Sequence, residues 1–344
     1  MKITIADIAR QAGVSKATVS RVLNNNPEGV GENTRARIQR ILDETGFHPC
    51  GIARGLATGK SRSVGLIIPD IRNPFYPLLV RGVEDILNRD GYSLFLCNSD
   101  GDIKKEKEYV RILMEKKVDG VILNSSASDC DCQLDLLESK NIPCVVLDRI
   151  IEGKKIRHGV FLDNQEGALM AVRHLLSQDN CSLLYLNGPS ELSQSRLRRA
   201  GMEEALRERN LSADSVRILH GDYTIKSGQN LVQEEINSFK NKRSNSSISF
   251  NAIFACNDLM AIGALRALKF HNIKVPEEVQ IIGFDDIELS QIVEPALSTV
   301  SQPTFEMGSK SAELLLQLIA GKKPRAKTVT MKPALILRGT TRPL

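Results

Sequence analysis

The 344-residue chain contains no tryptophan, so it offers no indole fluorescence to report binding. It also lacks any apolar run long enough to span a membrane. Asp7 and Arg10 interrupt the N-terminus too early for a secretory signal, which makes the cytoplasm the expected compartment. The seven cysteines (Cys50, Cys97, Cys130, Cys132, Cys144, Cys181 and Cys256) are odd in number and widely spaced, which argues against a disulfide framework. Cys97, Cys144 and Cys256 lie in or beside apolar runs and read as small core residues. Cys130-Asp131-Cys132 has no second Cys/His pair nearby, so no metal site is expected. The five histidines are scattered, and no GxGxxG after a strand, HExxH or GxSxG occurs. The stretch 55–61 looks like a phosphate loop. It is one residue short between its glycines, though, and precedes a strand instead of following one. Neither an enzyme nor a cofactor is expected.

What is present is concentrated at the N-terminus. Residues 1–60 hold nine Lys/Arg and five Asp/Glu, so +4 of the formal +5 lies in the first sixth of the chain. A basic head on a nearly neutral body suits a small polyanion-binding module. Thr4 and Asp7 have capping-box spacing ahead of an apolar face made by Ile5, Ile8, Ala9 and Ala12. Gly13 supplies a turn. Ser15 caps a second helix with Ala17, Val19, Val22 and Leu23 inward. Lys16, Thr18, Ser20 and Arg21 then point outward, where such side chains reach phosphates and base edges in a major groove. A third helix is expected over residues 34–45, and residues 1–48 form the head. Residues 49–61 are a glycine-containing linker with Ile52, Ala53 and Leu56 at helical spacing. Each glycine costs up to ~1 kcal/mol relative to alanine, so this helix is expected to form only when docked.

From residue 64 short apolar strands alternate with amphipathic helices. Strands are predicted at 64–68, 93–97, 120–123, 144–147 and 160–162, then at 182–186, 215–219, 252–255, 279–284 and finally 334–337. Helices are predicted at 78–90, 104–116, 167–178, 195–208, 225–239 and 260–271, with an exposed loop at 240–249. This is an α/β pattern of two doubly wound parallel sheets, with a cleft expected at their carboxyl ends.

The run from Asp7 to Asn24, the segment Ala53-Arg54-Gly55-Leu56, Val118-Asp119-Gly120, Asn257-Asp258-Leu259-Met260-Ala261, Gly283-Phe284-Asp285-Asp286 and Gln302-Pro303 occur in an order that resembles the lactose-repressor (LacI/GalR) family of bacterial transcription regulators. The resemblance covers essentially the whole chain. It implies a helix-turn-helix head and a two-lobed, periplasmic-binding-protein-like (type I) effector core over residues 62–344. One lobe would comprise about 62–162 and 303–325, the other about 163–301 and 326–344. Three crossovers are expected, near 162–164, 301–302 and after Gly321. It further implies a homodimer on double-stranded operator DNA; no leucine-heptad tail follows that would build a tetramer. Lys16, Ala17 and Arg21 match base-reading positions, supported by Thr4, Ser15, Thr18, Ser20 and Asn24. Ala53 and Leu56 would meet the minor groove, Leu56 as a wedge.

The core also resembles sugar-binding periplasmic proteins, ribose binders most of all. The matching pocket positions are Asn73, Phe75, Tyr76, Asn124, Asp148, Arg149, Arg196, Asn257, Phe284, Asp285 and Gln302. Carboxylates accept from hydroxyls, Arg and Asn donate, and aromatic faces cover C–H surface, so the set suits a small neutral polyol. Any one of these residues has a structural reading too: Asp148 and Arg149 as an ion pair, Phe75 and Tyr76 as core. Within the family the pattern points to the ribose-responsive branch, with D-ribose as effector. A phosphorylated sugar, a purine or a phosphoprotein corepressor stand as alternatives. Tyr76 departs from the second phenylalanine usual in ribose receptors.

Overall fold

A capping residue, a tight turn and a second capping residue organise the first helices. The computed structural model describes residues 3–23, 28–47, 60–125, 131–149, 158–178, 180–242 and 248–343. It divides into a unit ending at Arg62 and a larger one beginning at Ser63. In the first, α1 (Ile5–Ala12) begins with the expected capping box: the Asp7 amide donates to Thr4 Oγ1 at 3.4 Å and the Thr4 amide to Asp7 Oδ2 at 3.0 Å. Such a cap contributes about 1 kcal/mol. Gly13, at φ +60°, ends the helix in the left-handed conformation. The Thr18 amide donates to Ser15 Oγ at 3.1 Å at the start of α2 (Lys16–Leu23). α3 (Glu32–Thr45) closes a small core in which Ile8, Val19 and Ile38 are wholly buried. Ala17, expected inward, is exposed. The helical period places it three residues from Ser20 and Ser20 three from Leu23, on the flank of the Val19–Val22 stripe. Asn24 and the linker residues Ala53 and Leu56 lie outside the described residues.

The second unit is built from twelve strands: β1 (Ser63–Ile68), β2 (Ser93–Asn98), β3 (Gly120–Leu123), β4 (Cys144–Leu147), β5 (Gly159–Leu162), β6 (Leu183–Asn187), β7 (Arg217–His220), β8 (Ala252–Ala255), β9 (Gln280–Asp285), β10 (Ser298–Ser301), β11 (Thr328–Met331) and β12 (Ala334–Ile336). They form two six-stranded sheets with equivalent orders, β11-β5-β4-β3-β1-β2 and β12-β10-β9-β8-β6-β7. All pairings are parallel except β10 with β12. Near-continuous burial of β1, β3, β6, β8 and β9 fits strands covered by helices on both faces.

The chain passes between sheets after β5, after β10 and between β11 and β12. The third passage corrects the boundary read at residue 325. β11 pairs with β5, so residues 328–331 stay with the first sheet, and the chain crosses at Lys332-Pro333. Ser-Thr-Val-Ser of β10 and the alternating Thr-Val-Thr-Met of β11 carry too little apolar signal to stand out as strands. The polar stretch after residue 239 begins as helix, because Ile225–Lys242 runs three residues further than its apolar pattern. Among the described residues no helix is long and apolar enough to cross a membrane.

Helix Phe75–Arg89 packs on helix Thr304–Ile319 at backbone contact distance. A Cβ at Gly82 would lie 2.1 Å from the Phe305 carbonyl oxygen, and one at Gly308 equally close to that of Leu79. Overpacking a tight contact costs about 1–3 kcal/mol. Gly308→Ala is therefore expected to lower the urea midpoint by that amount of stability; an unchanged midpoint would show that the helix pair yields freely.

Candidate functional site

In parallel sheets the strand carboxyl ends gather on one side, and loops leaving them carry whatever side chains meet there. In the larger unit these ends border a cleft of about 700 Å³. Asn73, Phe75 and Tyr76 come from the segment after β1. Asp148 and Arg149 follow β4, Tyr223 follows β7 and Asn257 follows β8. Asp285 ends β9, and Gln302 follows β10. Helix Ser193–Glu208 contributes Gln194 and Arg198.

Asp148 and Asp285 hold equivalent places, each at the end of the third strand of its sheet. Both have positive φ, +64° and +113°. Such backbone costs on the order of 1–3 kcal/mol at a non-glycine residue, and it aims both carboxyls into the cleft. Asp148 Oδ2 accepts from Gln194 Nε2 at 2.8 Å and from Asn124 Nδ2 at 3.4 Å. Arg149 Nη1 donates to the Ser125 carbonyl at 3.1 Å and Nη2 to Tyr76 Oη at 3.4 Å. On the second lobe Gln302 Nε2 donates to Asp285 Oδ1 at 2.7 Å, and Arg198 Nη2 lies 3.7 Å from the same oxygen. The Arg198 guanidinium stacks 3.6 Å from the Phe284 ring centroid. Its Nε donates to Asn164 Oδ1 at 2.8 Å and its Nη1 to the Cys256 carbonyl. Asn257 caps helix Asp258–Phe270 by accepting from the Met260 amide at 2.9 Å, and its Nδ2 donates to the Tyr223 carbonyl at 3.1 Å.

Five buried polar atoms around this cleft have no hydrogen-bond partner among the described residues: Asn124 Oδ1, Asp148 Oδ1, Arg149 Nε, Gln194 Oε1 and Gln302 Oε1. Buried groups are normally paired, and leaving one unpaired costs about 1–3 kcal/mol. Several such atoms at one cleft describe a polar binding site. Burial pushes the Asp285 carboxyl up to about 7. Arg198 and Gln302 oppose the rise and Asp148 adds to it. Burial likewise pushes the Tyr76 phenol up to about 12. Behind Asp285, burial and the neighbouring carboxyl hold Asp258 well above the usual carboxylate range.

Of the residues read from sequence, Asn73, Phe75, Tyr76, Asp148, Arg149, Asn257, Asp285 and Gln302 border the cleft, whereas Asn124, Phe284 and Arg196 do not. Asn124 sits behind Asp148 and holds it. Phe284 is wholly buried beneath Arg198. Arg196 turns away to donate to the carbonyls of Ser190 at 3.1 Å and Glu191 at 2.7 Å. The reason is helical period: Gln194 and Arg198, four residues apart, share the cleft face that Arg196 cannot reach. Gln194, Arg198 and Tyr223 are among the lining residues that sequence reasoning missed. On the head, Thr4, Ser15, Lys16, Ala17 and Arg21 are exposed, while Thr18 and Ser20 are half-buried. Ser15 and Thr18 also bond each other at 2.9 Å, so their hydroxyls serve the cap.

Two family models match: bacterial regulatory proteins of the lacI family over residues 4–50, and a periplasmic binding protein-like domain over residues 172–341. The ribose operon repressor of Bacillus subtilis (strain 168) is 36% identical over 340 residues, covering 98% of each chain. The chain belongs to the lacI family. The transcriptional repressor PurR of Aliivibrio fischeri (strain MJ11) is 33% identical with the same coverage. The lac repressor dimer bound to operator and the anti-inducer ONPF superposes at TM-score 0.87, with 26% identity over 99% of each chain. A lacI-family regulator from Enterococcus faecium with bound ribose superposes at 0.73, with 29% identity over 82% of this chain and 99% of that one. This lacI-family protein is thus a transcriptional repressor by kinship and not an enzyme.

The raised Asp285 carboxyl gives this regulator a pH signature. A folded value near 7 against an ordinary 3.8 means that the contribution of this carboxyl to stability is fully present below about pH 4 and is lost as pH rises through 7. By linkage the loss is on the order of 4 kcal/mol. Asp285→Asn removes the ionisation, so its stability relative to wild type should climb between pH 4 and 8 in urea titrations. Parallel stability curves for the two proteins would contradict that electrostatic picture.

Proposed function

We propose that this regulator represses sugar-utilisation genes and leaves its operator when D-ribose occupies the interlobe cleft. The observation that carries this is the set of five unpartnered buried polar atoms, four of them on residues that line the cleft. Asp148 Oδ1, Gln194 Oε1 and Gln302 Oε1 are acceptors for hydroxyls, and Arg149 Nε is a donor. Phe75, Tyr76 and Tyr223 supply ring surface for a sugar's C–H groups. The kinship with a ribose operon repressor and with a ribose-bound regulator supports the choice of pentose.

On the head, Lys16 and Arg21 donate to guanine edges and Ala17 contacts a thymine methyl, with Leu56 wedging the central minor groove. Exposed Leu78, Phe95 and Leu96 on the first lobe, and Phe270 and Ile292 on the second, are apolar surface fit for a second copy of the chain. Sugar closes the lobes, shifts the paired first lobes and parts the linkers. Reciprocity then requires operator DNA to weaken sugar affinity by the same factor.

Calorimetric titration of D-ribose into the purified full-length protein tests this reading. Saturable, one-per-chain binding is expected, lost at least a hundredfold in Asp148→Ala while that variant still retards operator DNA. Binding of a purine base in place of ribose would overturn the sugar assignment. A response that appears only with an added phosphoprotein would move the effector site off the cleft.

A further inference from the structure

Arg149 presents an uncommon problem. Its guanidinium is buried, borders the cleft, and among the described residues donates its hydrogen bonds to neutral oxygens, the Ser125 carbonyl and Tyr76 Oη. A guanidinium turned toward a ligand with only neutral contacts is free to collapse onto the nearest carboxylate, here Asp148. Directly behind Ser125 lies a second anion that the ligand site does not use. Glu106, on helix Ile103–Glu115, is wholly buried. Its Oε1 accepts from Ser125 Oγ at 2.9 Å and from Gln133 Nε2 at 3.2 Å. Ser125 and Gln133 are themselves buried. An unbroken path therefore runs from a buried carboxylate through the Ser125 hydroxyl and backbone to the Arg149 guanidinium.

Resting on the sugar-site reading above, we infer that Glu106 is a positioning residue for Arg149: it orients the Ser125 carbonyl and supplies the rear counter-charge that keeps the guanidinium facing the ligand. The geometry makes a one-sided bond network. Glu106 fixes the hydroxyl of Ser125, the hydroxyl fixes the residue's orientation, and the carbonyl of the same residue takes Nη1. Nε is left unpartnered among the described residues, as a free donor requires. Burial works against the Arg149 charge, and the carboxylates of Asp148 in front and Glu106 behind both offset it. With the rear anion removed, attraction becomes wholly forward and Arg149 is drawn to Asp148, away from the ligand hydroxyl.

A purely structural role, tying helix Ile103–Glu115 to helix Asp131–Ser139 through Gln133, predicts a different outcome, and the two separate by ligand. Glu106→Gln keeps the shape and removes the charge. Calorimetry with D-ribose and its monodeoxy analogues should show at least a tenfold loss of D-ribose affinity. The analogue lacking the Arg149-facing hydroxyl, identified as the one that Arg149→Lys no longer distinguishes from ribose, should lose less than threefold. A crystal structure of Glu106→Gln should find Nη1 away from the Ser125 carbonyl. Equal losses for all analogues with Arg149 in place, or no loss at all, overturn the inference. If Glu106→Gln does not fold, Ser125→Ala breaks the same path, and the same selective pattern is required of it. Should the wild-type protein bind no pentose, the ribose reading fails by itself, and the position of Arg149 in the wild-type and variant crystal structures decides the role of Glu106.

Discussion

Two aspartates and two arginines share one cleft, and their mutual constraint explains much around them. Asp148 and Arg149 belong to the first lobe, Asp285 and Arg198 to the second. Burying four ionisable groups is tolerable only if each is bonded or balanced. Asp148 is held by Gln194 and Asn124, Asp285 by Gln302 and Arg198, and Arg198 by Asn164, Cys256 and the Phe284 ring. The Gln194–Asp148 bond joins the lobes directly, because Gln194 stands on a helix that packs in the second lobe and Asp148 ends a strand of the first. The carboxyl value near 7 at Asp285, the positive φ at both aspartates and the unpartnered oxygens all follow from forcing this polar group into one small volume.

The architecture makes that arrangement twice. Each sheet has the same strand order, so each lobe offers a carboxylate at its third strand end. Close helix packing stiffens what lies behind. Gly82 and Gly308 let two first-lobe helices meet at backbone distance, and Gly228 and Gly263 do the same in the second lobe. Interiors packed this tightly move as bodies instead of deforming. Movement is then left to the three crossings after β5, after β10 and between β11 and β12. The residues that border the cleft come from both sides of those crossings.

Much of this was legible in the sequence where chemistry is local. The Thr4–Asp7 box, the Gly13 turn and the Ser15 cap are each settled within four residues, and the structure holds all three. Buried strands such as 64–68 and 252–255 announce themselves because both faces are covered and every residue is apolar or small. Reading failed where the outcome depends on distant partners. β10 and β11 are strands because they pair with β9 and β5, which Ser-Thr-Val-Ser and Thr-Val-Thr-Met do not reveal. Choosing Arg196 over Arg198 required knowing which face of helix Ser193–Glu208 meets the cleft. The even polarity along that helix hides it. Phe284 was placed in the pocket for a related reason: an aromatic near a strand end points into the core or the cleft according to a pleat that one residue of register reverses. Leu56 and Ala53, expected at the minor groove, fall outside the described residues.

The charge distribution bears on what such a cleft accepts. Inside, two carboxylates face two guanidiniums. At the mouth stand Asp70, Asp100, Glu191 and Asp222 against Arg72 and Lys226. Arg72 is already committed to Asp70 at 2.9 Å, and Lys105 neutralises Asp100 from outside the lining. An anion entering this cleft would therefore meet a surplus of negative groups at the rim. Within, its only unclaimed donor among the described residues' orphaned atoms is Arg149 Nε. Acceptors dominate the remainder of the lining: one oxygen each on Asp148, Gln194 and Gln302. A ligand that satisfies three acceptors and one donor without adding charge is well served by hydroxyl groups, which donate and accept from the same atom. The imbalance of the orphaned atoms, more than the size of the cleft, supports the proposed neutral polyol over a phosphorylated sugar.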